Sequence, residues 1–303
     1  MTARQLRHIA LALVIAVFLW GLSEMIGGRS DEIEELEVLP LLTAAEVDTL
    51  VFARSDDTVR LAQSPEGGWT VNGHLASTSA VEGLFQAMAE PATAGLVARS
   101  ASSHARMGID AAGANRLRIV RGDRAEVDLL IGNQGRPFQS VYVRPEGDDR
   151  VYLLQGGIVP QLDRSVTDWR DKGIVRLMPA VVARMEVERG GAGYTLARDD
   201  VGWTLDGAPA DTAAVEDLLR EYRNVEAQGS AFATPAEADS ADFARPDARV
   251  TLFGMVGDTL AALVFDSTAA GYWVRHARGG TVYQMYGWKV DDILPVDSTL
   301  RAK

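Results

Sequence analysis

The sequence contains no cysteine, and this absence removes several kinds of chemistry at once. Disulfide bonds, thiolate metal sites and cysteine nucleophiles all require a thiol. The four histidines, His8, His74, His104 and His276, lack the i, i+4 spacing of a zinc-binding helix, so a zinc site would need ligands from distant parts of the chain. A G-x-S-x-G nucleophile elbow and an EF-hand loop are also missing. The sequence therefore predicts no catalytic residue, no metal site, no cofactor, and a protein that is not an enzyme.

Basic residues are fewer than acidic ones. The chain has 30 Lys and Arg against 42 Asp and Glu, which gives a net charge of −12 at pH 7. Nucleic-acid-binding proteins take much of their affinity from Lys and Arg on phosphates, so this balance argues against a nucleic-acid partner. It also argues against a soluble domain that lies flat on anionic lipid. A hydrophobic content of 47% with 24% charged residues is typical of a globular protein.

Long hydrophobic runs are rare as well, and one of them is long enough to cross a membrane. Residues 9–26 are almost entirely apolar and span roughly 27 Å as a helix, close to the thickness of a bilayer core. Arg4 and Arg7 precede this run, so the positive-inside rule predicts a cytoplasmic N-terminus. The acidic residues that follow, Asp31, Glu32, Glu34, Glu35 and Glu37, add little to this prediction and indicate a solvated linker. No small-residue cleavage site follows the run, which favours an uncleaved anchor over a signal peptide.

These features divide the 303 residues into five parts. We expect a cytoplasmic tail at 1–8, a transmembrane anchor at 9–26, an acidic linker at 27–45, and two repeats at 46–175 and 176–303.

The repeats are identified by a tryptophan motif that occurs twice. Gly68 to Gly73 reads G-W-T-V-N-G, and Gly202 to Gly207 reads G-W-T-L-D-G. Trp69 and Trp203 lie 134 positions apart, as do Gly73 and Gly207. This matched placement favours packing roles for both tryptophans over ligand stacking. We therefore interpret Trp69, Gly73, Trp203 and Gly207 as structural positions of a fold that occurs twice in the chain.

Each motif leads into an amphipathic helix. Apolar residues from Val81 to Met88 recur at i, i+3, i+4 and i+7, and Ser79 with Glu82 predicts a capping box at the helix start. A second helix is predicted from Thr212 to Arg223. Short runs of β-forming residues joined by turn sequences predict antiparallel meanders. The predicted fold class is α+β: an N-terminal transmembrane helix followed by two tandem repeats, each a mostly antiparallel β-meander with one amphipathic helix packed on it.

A glycine-rich stretch and three acidic pairs resemble functional motifs, but their sequence context favours turns. Arg189 to Gly193 is glycine-rich like a phosphate-binding loop, but it lies between two predicted strands, which indicates a hairpin turn. Acidic pairs would serve glycoside hydrolysis only if two carboxylates faced one cleft, and solvated Asp is common in turns. The acidic pairs are Asp148-Asp149, Asp199-Asp200 and Asp291-Asp292.

The last meander carries an aromatic set that is denser than anything in the first repeat. Its members are Trp273, Tyr283, Tyr286 and Trp288. They are either core residues or a contact for another protein, since Tyr and Trp are enriched at the centres of interfaces. We take them as the candidate partner-binding residues.

The order of these motifs resembles the DUF4340 family. The resemblance rests on the N-terminal span, the G-W-x-(V/L)-x-G motif, the V-x-x-L-(L/F) helix, a (Y/W)-V-R strand at 142–144 and 273–275, and the junction Asp168 to Lys172. It covers roughly residues 42–294. It implies an envelope protein with no catalytic residues to carry over, of a kind often associated with gliding-motility-type ABC-2 transporter components and their auxiliary subunits.

The expected function is that of a non-enzymatic, membrane-anchored periplasmic accessory or scaffold subunit of an ABC-type, gliding-motility-like transport or envelope complex. The expected partners are membrane-embedded transporter components or auxiliary envelope proteins, and the lipid bilayer through residues 9–26. We expect a single-pass protein of the bacterial inner membrane, with its N-terminus cytoplasmic and its bulk periplasmic. The alternative is a periplasmic glycan- or lipid-binding module that uses aromatic residues of the second repeat.

Overall fold

A computed structural model describes residues 40–90, 92–110 and 112–302. The predicted cytoplasmic tail, the predicted anchor at 9–26 and most of the acidic linker lie outside the described residues. Among the residues that the structure describes, no helix is both long and apolar enough to cross a membrane. The chain divides into two compact units, with unit 1 ending at Trp169 and unit 2 beginning at Arg170.

Unit 1 is built on an antiparallel sheet that has nine strands among its described residues. The strands are β1 Thr49–Ala53, β2 Thr58–Gln63, β3 Trp69–Val71, β4 His74–Leu75, β5 Thr93–Ala98, β6 Asn115–Arg121, β7 Arg124–Gln134, β8 Ser140–Pro145 and β9 Val151–Gln155. Their order across the sheet is β4-β3-β2-β1-β6-β7-β8-β9-β5. The helices are Thr78–Ala89, His104–Met107 and Val166–Trp169, with 3-10 turns at Ala44–Glu46, Ala101–Ser103 and Val159–Gln161.

Unit 2 repeats this plan with an eight-stranded antiparallel sheet in its described part. The strands of the unit are β10 Gly173–Val175, β11 Val182–Arg189, β12 Ala192–Arg198, β13 Trp203–Leu205, β14 Ala208–Pro209, β15 Val225–Glu226, β16 Ala248–Gly254, β17 Thr259–Thr268, β18 Gly271–His276 and β19 Tyr283–Met285. The sheet order is β14-β13-β12-β11-β16-β17-β18-β19, and β10 pairs separately with β15. The helices are Thr212–Glu221, Pro235–Ser240 and Gly287–Ile293, with 3-10 turns at Pro179–Val181 and Asp297–Thr299.

The repeated tryptophan motif forms the same tight hairpin in both units. Asn72 and Gly73 have φ values of 49° and 82°, and Asp206 and Gly207 have values of 51° and 83°. Two consecutive left-handed residues are what a two-residue type I′ hairpin requires, and Asn-Gly and Asp-Gly satisfy it at low cost. The side-chain oxygens of Asn72 and Asp206 each accept a backbone N–H from a neighbouring strand, at 2.7 and 2.8 Å. The motif therefore encodes the turn between β3 and β4 and between β13 and β14.

The main helix of unit 1 begins at a different residue from the predicted one. The predicted capping box of Ser79 and Glu82 is wrong, because the N-cap is Ser77, whose Oγ accepts the N–H of Ala80 at 3.3 Å. The backbone N–H of Ser77 donates to the carbonyl of Trp169 at 2.8 Å. The N-cap is thus also bonded to a residue that is distant in the chain.

The apolar stripe of this helix is buried as its spacing predicts. Val81, Leu84 and Met88 are at most 4% exposed and join the core formed by alternate residues of the strands, such as Leu50 and Leu61. The corresponding core of unit 2 contains the buried residues of the helix Thr212–Glu221. Both units thus bury one helix face against one face of a sheet.

The predicted α+β class is wrong, because the described part of the chain is mainly β. Strands account for 41% of the described residues and helices for 22%. Beyond the two main helices, the α-helices among the described residues are pieces of four to seven residues. The sheets grow by pairing strands far apart in the chain, such as β1 with β6 and β5 with β9, and such pairs have no signature within a short window. The transmembrane helix that formed part of the prediction lies outside the described residues.

Candidate functional site

The four aromatic residues predicted as candidate partner contacts fall into two groups. Trp273 is only 8% exposed, and Tyr283 is half-buried. Tyr286 and Trp288, in contrast, are 39% and 59% exposed. We call the pair Tyr286 and Trp288 the aromatic corner. The structure therefore places two members of the set in the packed part of unit 2 and two on its surface.

Tyr283 has a packing role. Its ring lies 5.7 Å from that of Phe232, and the guanidinium of Arg170 lies 3.5 Å from the centroid of the Phe232 ring. Burial is the main cause that raises the pKa of Tyr283, and the nearby carboxylate of Asp171 raises it further. Tyr283 is therefore neutral at physiological pH and serves this aromatic cluster.

The aromatic corner is held by hydrogen bonds on both sides. Tyr286 is the N-cap of the helix Gly287–Ile293, and its carbonyl accepts the N–H groups of Lys289 and Val290 at 3.1 Å each. Its own N–H donates to Oε1 of Gln228 at 3.1 Å. Val290 is fully buried and directs that face of the helix inward, whereas Trp288, two positions earlier, remains exposed. The exposed rings thus project from a well-fixed backbone.

A close backbone approach at Gly271 fixes the corner further. Gly271 has φ +143°, and a Cβ at this position would lie 2.2 Å from the carbonyl oxygen of Met285. Only glycine fits there without a shift of the backbone that carries Tyr286. The aromatic corner is therefore a rigid feature of unit 2.

Sequence reasoning missed a cleft of about 780 Å³ in unit 2, which we call the arginine cleft. Its apolar lining consists of Leu177, Met178, Pro179, Ala180, Trp203 and Leu219. Its charged lining consists of Arg176, Arg198, Arg220, Arg223 and Glu216. The i, i+3 spacing of Arg220 and Arg223 is visible in the sequence, but their proximity to Arg198 and Trp203 depends on strand register.

Two of the four arginines in the cleft are neutralised by carboxylates. The guanidinium of Arg176 lies 2.7 Å from Asp171, and this hydrogen bond raises the pKa of Arg176. Arg220 pairs with Asp217 one turn earlier in the helix. Within the described residues, the guanidinium groups of Arg198 and Arg223 have no carboxylate or hydrogen-bond acceptor. The unpaired groups Arg198, Arg223 and Glu216 therefore leave a net positive charge in the cleft, beside its apolar wall.

The end of the sheet beside this cleft exposes unusual apolar side chains, which we call the apolar tips. Strand pairing of Arg198 with Trp203, and of Val182 with Gly254, brings the turns at 199–202 and 255–258 to one end of the sheet. The apolar tips are Met178, Val201, Met255 and Val256, which are 70%, 98%, 69% and 90% exposed. Met178 also lines the cleft, so the two features are continuous.

The glycine-rich stretch Arg189 to Gly193 is a hairpin turn. Arg189 pairs with Ala192 at the junction of β11 and β12, and no helix follows the loop. The predicted interpretation as a turn is confirmed, because a phosphate-binding loop would have to present the N-terminus of a helix.

The acidic pairs and two of the histidines have local structural partners. Arg150 pairs with Asp148 and lowers the pKa of its carboxyl group to about 2. Asp199 accepts backbone N–H groups in its turn, and Asp291 pairs with Arg189 at 2.6 Å. His104 contacts the carbonyl of Asp149 at 2.9 Å, and His276 contacts the carbonyl of Ile174 at 2.7 Å. Among the described residues, no three side chains of His, Asp or Glu are arranged to hold a metal ion.

The junction motif Asp168 to Lys172 is explained by packing. Trp169 is completely buried in unit 1, where its ring stacks on Phe52 at 6.1 Å and the guanidinium of Arg164 lies 4.8 Å from its centroid. Asp168 accepts the N–H of Ser165 at 3.0 Å. The motif therefore marks the end of unit 1 and the beginning of unit 2.

Comparison with known proteins identifies a family. The family model described as "Domain of unknown function (DUF4340)" matches residues 69–246, which is more than half of the chain. The match begins at the first tryptophan motif and contains the second motif, the junction and the arginine cleft. No curated protein and no solved structure matches the chain. The predicted resemblance is thus confirmed, and the chain belongs to the DUF4340 family.

Proposed function

We propose that this protein is a non-enzymatic, membrane-anchored accessory or scaffold subunit of an ABC-type envelope transport complex, held at the periplasmic face of the bacterial inner membrane. In this proposal, residues 9–26 are the anchor, and the aromatic corner of unit 2 contacts a membrane-embedded transporter component or an auxiliary envelope protein. The transport context comes from the family resemblance.

The observation that carries the proposal is the exposure of Tyr286 and Trp288 on a fixed backbone. Large exposed aromatic side chains next to each other are enriched at the energetic centres of protein interfaces. They supply contact area at a small cost in side-chain entropy, because each has only two side-chain torsions. The anchoring hydrogen bonds of Tyr286 lower the cost of binding further, because the corner has little backbone freedom to lose.

Co-purification of the full chain from native membranes tests this proposal. Wild type carrying a C-terminal tag should co-purify with a membrane-embedded transport component that mass spectrometry identifies. Trp288→Ala and Tyr286→Ala should each reduce its recovery by tenfold or more, since hot-spot truncations typically cost about 2 kcal/mol. Protease added to spheroplasts should digest both units, as the proposed periplasmic location requires.

Phe138→Ala is the matched control, because Phe138 is an aromatic residue of unit 1 that is 85% exposed. This variant should retain the partner. The proposal fails if the corner variants also retain it, or if they lose it only because unit 2 unfolds. Binding of peptidoglycan fragments that depends on Trp288 while protein recovery is unchanged would instead support the glycan-binding alternative.

A further inference from the structure

The arginine cleft combines an apolar wall with positive charge that the protein leaves uncompensated. Arg198 and Arg223 have no acidic partner within the described residues. Trp203 is 5% exposed, which makes it a rigid part of the wall, and Met178 is 70% exposed, which leaves it accessible. The planar guanidinium group matches the paired oxygens of phosphate and carboxylate. The cleft volume of about 780 Å³ also falls in the range of sites for small molecules.

We propose that the arginine cleft binds an anionic amphiphile, a molecule with a phosphate or carboxylate head and an apolar tail. Arg198 and Arg223 bind the head, and Trp203 and Met178 contact the tail. This site is separate from the aromatic corner, and the proposal does not depend on the proposed transport function.

Stabilisation of a helix end explains the presence of Arg220 and Arg223 in the cleft, but it does not explain Arg198. Arg220 and Arg223 lie at the C-terminal end of the helix Thr212–Glu221, where positive charge stabilises the helix dipole. Arg198 has no such role, because it lies on β12 and pairs in register with Trp203 of β13. A charge from the sheet and a charge from the helix thus converge on one cleft.

The charge of the cleft is opposite to that of the whole protein. Arg176 and Arg220 are paired with carboxylates, so Arg198, Arg223 and Glu216 decide the charge of the cleft and leave it positive, whereas the chain has a net charge of −12. The general acidity of the protein repels anions, so a local reversal of this kind favours a specific anionic group over nonspecific adsorption.

The apolar tips indicate that the ligand is an amphiphile rather than a simple anion. The turns that carry Val201 and Met255 are separated by three strand spacings, about 14 Å at ~4.8 Å per strand. The segment with Met178 enters β11 between them. Burial of exposed apolar surface is favourable in proportion to its area, so an apolar tail gains contacts here that inorganic phosphate cannot make.

Calorimetry on the full chain in phosphatidylcholine nanodiscs tests the site. Three probes are compared: hexyl phosphate, inorganic phosphate and the neutral amphiphile hexyl glucoside. Hexyl phosphate should bind at least about tenfold more tightly than either of the others, because only it uses both the charged and the apolar lining. Equal binding of inorganic phosphate, or of hexyl glucoside, would overturn the proposal.

Two variants separate the roles of the lining. Arg198→Gln with Arg223→Gln should weaken hexyl phosphate binding by about tenfold or more, because charge-assisted hydrogen bonds to the head are lost. Met178→Gln should weaken hexyl phosphate binding and leave the weak binding of inorganic phosphate unchanged. The control is Arg60→Gln with Arg278→Gln, which removes the same charge from exposed positions that do not line the cleft. An equal loss in this control means that long-range charge, rather than a site, explains the binding.

A third arm distinguishes the source of the ligand. In nanodiscs that contain phosphatidylglycerol, bilayer phospholipid is present at high local concentration. If hexyl phosphate then binds more weakly, the natural ligand class is a membrane phospholipid; if its affinity is unchanged, the class is a soluble amphiphile such as a fatty acid or lysophospholipid. Either outcome supports the anionic amphiphile site, provided that Arg198→Gln with Arg223→Gln weakens hexyl phosphate binding as stated above.

Discussion

The two units share the order of eight strands, to which unit 1 adds β5, but they present different side chains at equivalent turns. In unit 1 the turn between β2 and β3 reads S-P-E-G-G, and the turn between β6 and β7 is centred on Gly122 and Asp123. At the same places unit 2 exposes Val201 and the pair Met255 and Val256. Loops tolerate such change because they contribute little to the core, whereas binding residues are concentrated in them. The comparison teaches that the repeated sheet accepts different turns, and that at these two turns unit 2 exposes apolar side chains where unit 1 has polar residues and glycine.

The ion pairs at this end also differ. In unit 1, Arg121 lies 3.7 Å from Glu46, so positive charge at the end of β6 has an acidic neighbour. In unit 2, Arg198 has no ion pair among the described residues, and the residue that takes its place beside the tryptophan of unit 1 is the uncharged Gln63. The positive charge at this position is therefore a feature of unit 2.

The largest expected difference between the units concerns the repeated tryptophans. Trp203→Ala should destabilise unit 2 by about 3–5 kcal/mol, because its 5% exposed indole leaves a large cavity when removed. Trp69 is half-buried and packs on Phe85 with ring centroids 5.4 Å apart, so Trp69→Ala should cost unit 1 about half as much. Hydrogen exchange under increasing denaturant measures each unit separately. Equal losses would contradict the view that Trp203 forms a rigid wall of the cleft.

The repeated turn glycines should show an effect of intermediate size that is equal in both units. Gly73→Ala and Gly207→Ala each place a side chain at φ +82° or +83°, which costs about 1–2 kcal/mol in backbone strain. A Cβ at either position would have no heavy atom within 4 Å beyond its chain neighbours, so steric clashes add nothing to this cost.

Gly83→Ala is the control for these two substitutions, because Gly83 is helical and equally uncrowded. It should stabilise unit 1 by up to about 1 kcal/mol. Losses at Gly73 and Gly207 that differ by more than about 1 kcal/mol would show that the two turns are not equivalent.

The smallest expected effect is that of Asp148→Asn on stability in acid, and it should be seen in unit 1 alone. Arg150 lowers the pKa of Asp148 to about 2 from an ordinary value of 3.8, so the folded state is stabilised above pH 4 and loses this contribution as the pH falls towards 2. Asp148→Asn should therefore lower stability near pH 7 and flatten the pH profile of unit 1 between pH 4 and 2.

The size of this change should stay below about 1 kcal/mol, because the ion pair is partly exposed to solvent. Hydrogen exchange of unit 1 as a function of pH measures it. Unit 2 has Ala277 to Gly280 at the equivalent turn, and its profile should not change.

Sequence patterns predicted those parts of the fold that depend on neighbouring residues. Asn72-Gly73 and Asp206-Gly207 identify hairpins, because their backbone preference is local. The buried face from Val81 to Met88 follows from helical periodicity. The helix start was predicted two residues too late, because Ser77 and Ser79 are equally acceptable N-cap residues and the sequence alone does not choose between them.

The candidate sites were less predictable than the fold. The density of aromatic residues singled out the last part of unit 2, but it did not separate buried Trp273 from exposed Trp288. That separation depends on the turn at Tyr286 and the close approach of Gly271. For the arginine cleft, the sequence shows only the spacing of Arg220 and Arg223, since the register of β12 with β13 and the position of a helix together create the cleft.

The segment from Gln228 to Ala233 runs along the outer strand β19, and this feature bears on aggregation. Its backbone bonds to Gln284 and Val282 at 2.8 to 3.1 Å occupy the free edge of that strand. At the other end of the sheet, β14 has two residues, one of which is Pro209. Foreign strands extend a sheet by pairing with a long, open edge, and neither edge of this sheet provides one. Unit 2 can therefore expose its apolar tips to solvent without also offering a template for β-strand polymerisation.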